Sequence, residues 1–317
     1  MEEKDYDVLI LGAGIAGLSA AIYARRRGLE TVVISKDVGG QALMAKEIEN
    51  YPGVSHSSGI NIIMIAADQA QEFGAEIIPN QVLSVKKEEE GRFLVKTSGE
   101  EYTSKSVIIA AGKIPRELKV PGESKFKGAG VSYCATCDAP LYRKKNAVVV
   151  GNGTFAFDAT ILLSKYASRV YLVTNRNELS GNDEIIKLIK ETENIELVPS
   201  TNVKEIKGNS KVNAVILTSE KRGEFELPVD GVFVEMGYDI YVEPFMDTVK
   251  LDGRKQVIIN NKCETSTEGI FAAGDVTNTP FKQLVISAAE GAKAALSAYE
   301  YIQKLAGKKA VTIDWHK

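Results

Sequence analysis

The sequence predicts an α/β protein with two Rossmann-like, three-layer domains. Two observations carry that expectation: a strand–glycine turn–helix unit near the start of the chain, and a second such unit that aligns with it without a gap. Residues 7–11, Asp-Val-Leu-Ile-Leu, are an apolar run of strand length ending in Gly12-Ala13-Gly14-Ile15-Ala16-Gly17, and Leu18 to Arg27 carries helical spacing. In a G-x-G-x-x-G turn the first glycine redirects the chain, the second lets backbone approach a pyrophosphate, and the third packs helix against strand. The helix that follows offers N–H donors and a positive dipole end to phosphate. Asn146 to Val150 repeats the plan and ends in Gly151-Asn152-Gly153-Thr154-Phe155-Ala156. Set beside residues 7–35, Gly151 meets Gly12, Gly153 meets Gly14 and Ala156 meets Gly17, a packing position where alanine is allowed. This is a domain-level duplication, not a solenoid.

The other elements follow in order. A second strand, Glu30 to Ile34, ends at Ser35-Lys36, where a ribose-binding acid often sits; its absence argues against a simple NAD site in the first domain. Gly39-Gly40-Gln41 and Glu49-Asn50-Tyr51-Pro52-Gly53 lie in an irregular stretch, with His56 in the same loop as a surface histidine. Residues 59–73 read as a helix, and strands at 81–87 and 92–97 flank the charged turn Glu88-Glu89-Glu90-Gly91. Val107 to Ala111 is a buried strand whose small terminal residues, Ala111 and Gly112, permit close backbone approach. Beyond the second glycine turn, strand and helix alternate: a strand at Val170–Val173, a helix from Asp183 to Glu193, and strands at 195–198, 203–207, 212–218 and 229–234. Gly237 ends that block. Val257–Ile259 and Gly269–Val276 read as further strands, and 283–305 as a long alanine-rich helix. A short tail, 310–317, holds the only tryptophan, Trp315, and the second histidine, His316.

Composition narrows the function classes. Across 317 residues, 44% hydrophobic and 26% charged content fits a globular protein with ample core, long enough for two domains. A net charge of −3 leaves no nucleic-acid footprint. No apolar run reaches the roughly 18 residues of a membrane span, and the acidic start shows no signal peptide. A cytoplasmic location is the expectation, where a Cys-x-x-Cys is more often redox-active than structural.

Chemistry points to Cys134-Ala135-Thr136-Cys137-Asp138, just ahead of the second glycine turn. Two thiols at this spacing can close a small disulfide ring and reopen it, passing two electrons. Asp138 adds an ionisable group where a departing thiolate needs a proton. Zinc would want four ligands, and Cys263, His56 and His316 offer no second paired spacing, so no metal is expected. The plainer alternative is a pair of ordinary buried thiols.

The ordered set of Gly12–Gly17, Gly39-Gly40-Gln41, Glu49–Gly53, Cys134–Asp138, Gly274-Asp275-Val276 and Lys282-Gln283 resembles the low-molecular-weight thioredoxin reductases, over nearly the whole chain. The resemblance implies an FAD-binding domain built from both chain ends, 1–114 and 248–317. A second domain, 115–247, resembling an NAD(P)H-binding domain and carrying the cysteine pair, is inserted into the first. It implies FAD contacts from Gly12, Gly14, Ala16, Gly17, Ser35, Gly40, Gln41, Asn50, Val82, Ala111, Gly112, Gly274, Asp275, Lys282 and Gln283. Cys137 would take electrons from the flavin, Cys134 would attack the disulfide of thioredoxin or a thioredoxin-like protein, and Asp138 would shuttle the proton. A homodimer and a domain rotation that presents the pair to flavin and partner in turn are implied as well. His316 is the competing acid–base group, because larger flavin disulfide reductases use a histidine near their C-terminus.

Departures from that pattern bear on the electron donor. NADPH-using members carry a His-Arg-Arg cluster and a further arginine after the second strand of the inserted domain; here those positions are Thr174, Asn175, Arg176 and Ser180. One arginine grips a 2′-phosphate dianion poorly. Gly151, Gly153, Ala156 and Arg176 therefore mark a nucleotide site whose use of NAD(P)H is doubtful. Gly237-Tyr238-Asp239-Ile240-Tyr241 replaces a Gly-x-x-Pro-Asn-like segment, and Phe155 and Phe157 bring bulk to the turn. Ala139-Pro140 after Asp138 resembles the ferredoxin-dependent branch, and Trp315 is a candidate to stack on an exposed flavin. Ferredoxin or another non-pyridine carrier is the expected donor, with NADPH, NADH or a deazaflavin as alternatives. Arg25-Arg26-Arg27 and Arg143-Lys144-Lys145 are basic clusters that an acidic ferredoxin could meet. A flavin-bearing redox sensor without turnover is the reading from another class. A ferredoxin–NADP reductase of related fold would have no use for Cys134 and Cys137.

Overall fold

The computed structural model describes residues 5–45, 47–88 and 91–309. In chain order the elements are β1 (Asp5–Ala13), α1 (Ile15–Arg26), β2 (Thr31–Val38), α2 (Gly59–Glu72), β3 (Glu76–Pro79), β4 (Val82–Lys87), β5 (Phe93–Thr97), β6 (Glu101–Ile109) and β7 (Ile114–Pro115). They continue with β8 (Val131–Ser132), α3 (Ala135–Asp138), β9 (Asn146–Val150), α4 (Thr154–Ser164), β10 (Arg169–Val173), α5 (Asp183–Glu191), β11 (Ile195–Val198) and β12 (Thr201–Gly208). The last are β13 (Val212–Ser219), β14 (Gly223–Pro228), β15 (Gly231–Val234), β16 (Tyr238–Asp239), β17 (Ile270–Ala272) and α6 (Leu284–Leu305).

The chain divides into two compact units, Met1–Ile114 with Ile240–Lys317, and Pro115–Asp239. The second crossing thus falls at 239/240 rather than 247/248. The reason is burial: Val242 and Phe245 are 3% and 2% exposed within the first unit's core, and Val85 N–H donates to Pro244 O at 2.7 Å.

In the first unit a seven-stranded sheet runs β3-β2-β1-β6-β5-β4, with β17 also paired to β6. β3, β2, β1, β6 and β17 are mutually parallel, while β4 and β5 add an antiparallel ribbon. Val8, Leu9 and Ile10 of β1 are wholly buried, the unbroken apolar run expected of a strand covered on both faces. Each such side chain contributes about 1.5–3 kcal/mol relative to exposure. α1 and α6 cover one face with small residues, Ala20, Ala24, Ala294, Ala295 and Ala298, and Ser19 Oγ donates to Ala288 O (2.7 Å) between them.

The second unit holds a parallel five-stranded sheet, β11-β10-β9-β15-β8, and an antiparallel sheet β12-β13-β14. α4 packs on the larger sheet through Ala156, Phe157, Ala159 and Leu163. Three differences from the sequence reading have physical causes. β3 and β14 had no clear signal because their side chains stay largely half-buried or exposed. Residues 257–259 form no strand: only Val257 bridges, to Leu251 and Thr277. After β17 the chain turns at once into a single 3₁₀ turn, Gly274–Val276, so the expected strand 269–276 is short.

Candidate active site

Cys134 and Cys137 form a disulfide, with their Cα atoms 5.3 Å apart. Cys134 is the N-cap of the one-turn helix α3, and its Sγ accepts from Cys137 N–H at 3.2 Å. Asp138 closes the helix, and its Oδ2 accepts from Ser132 Oγ at 2.6 Å. Ser132 Oγ in turn accepts Cys134 N–H at 3.1 Å, which ties the carboxyl to the backbone of the first cysteine. Burial pushes the Asp138 carboxyl above the usual carboxylate range, against the opposing hydrogen bond from Ser132. A carboxyl whose protonated form burial favours, in the same one-turn helix as the two sulfurs, is suited to give a proton to a departing thiolate.

The segment leading into this helix is held at both ends of one residue. Tyr133 donates its phenol to Glu123 (2.8 Å), and its carbonyl accepts the phenol of Tyr238 (2.9 Å). Glu123, 1% exposed, also accepts Leu118 and Lys119 N–H at 2.9 and 2.7 Å. Glu235, just past β15, accepts Ala135 N–H at 3.4 Å.

The second glycine turn lies in the same unit. Gly153 caps α4, and no atom lies within 4 Å of where its side chain would be. Ala156 is buried at the packing position. Phe155, in the first turn of α4, is 52% exposed and meets Tyr238 edge-on, ring centroids 6.1 Å apart. Phe157 does not stand at the turn: it is 2% exposed, in the core under α4 and against Gly181. Arg176 lies exposed in the loop after β10, its N–H on Thr174 Oγ1 (3.2 Å) and its carbonyl on Ser200 N–H (2.9 Å).

In the first unit, parallel pairing brings the ends of β1, β2, β6 and β17 to one sheet edge, where Leu11 is level with Ile34 and Ile109, and Ile109 with Ala272. Gly12 and Ser35, late in β1 and β2, and Ala111, Gly112 and Gly274, just beyond β6 and β17, sit at that edge, the place where open α/β sheets bind ligands. Gly12 has φ +113°, and a side chain there would run into Ala110 O; one at Gly17 would collide with Gly12 O. Gly14 faces open space, a side chain added at Gly40 would come within 4.0 Å of Gly14 Cα, and Ala16 is buried in the first turn of α1.

Asp275 gathers the remaining residues. Its carboxylate accepts from Gln41 Nε2 (3.4 Å) and Ser287 Oγ (3.3 Å), and Lys113 Nζ is 3.7 Å away. Asn50 Nδ2 donates to Gln283 Oε1 (3.2 Å). Lys282 donates to Thr277 O (2.6 Å); burial pulls its ammonium's pKa down, partly offset by Asp275. Gly274 N–H rests on the buried carboxylate of Glu290 (2.7 Å), which also binds Thr277 and Thr279. Ser35 Oγ is turned to Asp37 O (2.6 Å), and Asn80 N–H reaches Ser35 O (3.0 Å), which sets the start of β4 and Val82 near the end of β2. His56 sits in an exposed loop with Nδ1 3.1 Å from Glu47 and 3.4 Å from Glu49. Trp315 and His316 lie outside the described residues.

Ser132, Glu235 and Glu290 were not anticipated. Glu235 had a visible signal, a charge closing the otherwise apolar run Val232-Phe233-Val234; Ser132 and Glu290 had none, since neither spacing nor polarity marks them.

A family model described as pyridine nucleotide-disulphide oxidoreductase matches residues 6–295. The chain is 40% identical over 306 residues to a thioredoxin reductase of Treponema pallidum, covering 96% of this chain and 99% of that protein. It is 36% identical to one of Bacillus subtilis, covering 96% and 97%. The crystal structure of a thioredoxin reductase from Streptococcus pyogenes superposes with a TM-score of 0.92 at 33% identity, over 95% of this chain and 99% of that one. A disulfide seated on a one-turn helix, two glycine turns at sheet edges and this full-length likeness agree: the chain belongs to the pyridine nucleotide-disulphide oxidoreductases, in their thioredoxin reductase family.

Proposed function

We propose that the protein is a flavin-dependent thioredoxin reductase whose electrons leave through Cys134 and Cys137 to a thioredoxin-like protein. The observation that carries this is the disulfide on α3 with Asp138 half-buried and hydrogen-bonded beside it. Family membership implies FAD, and the first unit's residues fit it: a pyrophosphate can approach Gly14, where nothing fills the space, at the first turn of α1. Gly12, Gly14, Ala16, Gly17, Ser35, Gly40, Gln41, Asn50, Val82, Ala111, Gly112, Gly274, Asp275, Lys282 and Gln283 would hold it. FAD when bound supplies a two-electron carrier able to reduce a disulfide.

The chain's own residues do the rest. With the pair reduced, the Cys134 thiolate attacks a sulfur of the partner disulfide, forming a mixed disulfide and releasing the partner's other sulfur as thiolate. Asp138 is the proton donor for a departing thiolate. Cys137, deprotonated, then attacks Cys134 Sγ, the internal disulfide re-forms, and the partner leaves as a dithiol. One disulfide is reduced and one dithiol oxidised, so electrons balance.

For the donor we infer ferredoxin or another non-pyridine carrier. Phe155 and Tyr238 flank the second glycine turn, and Arg176 is the one arginine of the four positions that grip a 2′-phosphate in NADPH users. A soluble cytoplasmic homodimer accompanies this reading; among the described residues no helix is long and apolar enough to cross a membrane. The test is anaerobic titration of the yellow protein with NADPH, NADH and then reduced ferredoxin, followed at the flavin band and by reduction of thioredoxin. Bleaching by ferredoxin alone supports the donor. Bleaching by NADPH or NADH overturns the donor and leaves the reductase, whereas flavin reduction that never reaches thioredoxin would favour a redox sensor.

A further inference from the structure

Asp138 is not the only carboxyl bonded into the redox helix. Glu235 reaches α3 from the end of β15: it is 8% exposed, and its Oε1 accepts Ala135 N–H at 3.4 Å. Ala135 directly follows Cys134, and Cys137 N–H two residues on is directed at Cys134 O and Sγ. The backbone of Glu235 has little room to shift, because its carbonyl packs so closely on Gly151 that any side chain there would strike it. A carboxylate is thus fixed, largely out of water, against the residue between the N-cap sulfur and the rest of the helix.

We propose that Glu235 is a second acid of the dithiol centre, a positioning residue that fixes Ala135 and whose charge suppresses thiolate formation at Cys134 and Cys137. Cys134 is half-buried and Cys137 exposed, so the effect falls mainly on Cys134, whose neighbouring amide holds the carboxyl; a negative charge beside a thiol disfavours a second negative charge there. The consequence is a reduced pair that reacts slowly with oxidants and alkylating agents until it meets its partner.

Other titratable groups on the neighbouring elements have described contacts of their own. From α3 comes Asp138, bound to Ser132. Tyr142, just after α3, has its phenol pushed well up by burial, then by Asp138 and Asp230. Tyr133 is pushed up likewise, by burial and then by Glu123, and Tyr238 donates to its carbonyl. Those two shifted phenols stay neutral in the range where thiols ionise. Lys127, 5.7 Å over the Tyr133 ring, is engaged with Glu117, and Arg116 with Asp239. Asp138 and Glu235 are the two carboxyls hydrogen-bonded at this helix, and they arrive from different elements.

The inference rests on reading Cys134–Cys137 as a reducible pair, not on the identity of donor or partner. Its test uses the full-length flavoprotein, reduced with dithiothreitol and desalted without oxygen. Iodoacetamide alkylation of each cysteine is followed by peptide mass spectrometry across a pH series, with buried Cys263 as the internal reference. Glu235→Gln keeps an acceptor for Ala135 N–H and removes the charge. It should move the alkylation midpoint of the pair down by about one pH unit, or about tenfold more thiolate at a given pH below the midpoint. Its melting temperature should stay near wild type. Should Glu235→Gln fail to fold, Glu235→Ala is judged by the same downward shift. An unmoved midpoint in a folded variant overturns the inference and leaves the reductase reading intact. A wild-type pair that dithiothreitol does not open overturns both.

Discussion

At Gly12–Gly17 the chain turns between β1 and α1 toward open space, with Gly40 close by and Gln41, Lys113 and Ser287 converging on Asp275 at the same sheet edge. At Gly151–Ala156 the same turn between β9 and α4 is flanked by an exposed phenylalanine, a tyrosine hydrogen-bonded to Tyr133, and a carboxyl hydrogen-bonded to α3. The glycines are alike; the walls differ. A glycine turn specifies backbone that can approach a phosphate, but whether anything binds is decided by residues that arrive from other strands. In the second unit those residues are bonded to the segment and helix that carry the disulfide.

That contrast can be broken at several points. If the second unit works through α3, Cys134→Ser or Cys137→Ser should cut disulfide reduction by about 10³-fold or more in a thioredoxin-coupled assay, the scale of losing a covalent nucleophile. The bound flavin should be undisturbed. Asp138→Asn should lower the same rate by about 10²-fold or more, as for loss of a general acid. Because burial raises the Asp138 pKa, the wild-type acid limb persists above the ordinary aspartate range and is lost as pH rises through the raised value; the asparagine variant should lack that limb.

The turns themselves give a smaller, paired effect. Gly17→Ala drives a methyl into Gly12 O and should cost about 1–3 kcal/mol with loss of yellow colour on purification. The reciprocal Ala156→Gly in the second turn should cost about 1 kcal/mol by thermal melting and leave the colour unchanged. Equal flavin loss in both would mean the two turns are not specialised. Smallest of all, Phe155→Ala, at a half-exposed position, should change stability by under about 1 kcal/mol. A gain of NADPH-driven flavin bleaching in that variant would identify Phe155 as the barrier to the nucleotide.

Much of this architecture is written in local pattern. Val8 to Leu11 and Ala147 to Val150 announce buried parallel strands because no polar residue interrupts them, and each ends in the glycines that a tight turn demands. β14 alternates Glu224, Phe225, Glu226, Leu227 on a sheet whose outer face meets water, a weaker signal. Val257–Ile259 misleads for the opposite reason: three β-branched residues have strand propensity, but pairing requires a neighbour, and only Val257 has one. At the site, cysteines and glycines are conspicuous by type and spacing, so α3 and both turns could be placed. Ser132 and Glu290 could not, because each acts through a hydrogen bond to a residue that only folding brings near. The 239/240 crossing was hidden likewise, since Val242 and Phe245 look like any apolar pair until their pocket is known.

Residues 115–239 enter and leave by one doorway. Arg116 N–H donates to Gly237 O at 2.9 Å, and its guanidinium grips Asp239 at 2.8 Å. A segment whose two ends are already clasped needs no long linker to be closed, and cutting it out would leave no gap to bridge. It is a cassette, self-contained in its sheet and core, that could be lifted into a different host loop, or be given a new pair of termini, without forcing its own fold to reopen.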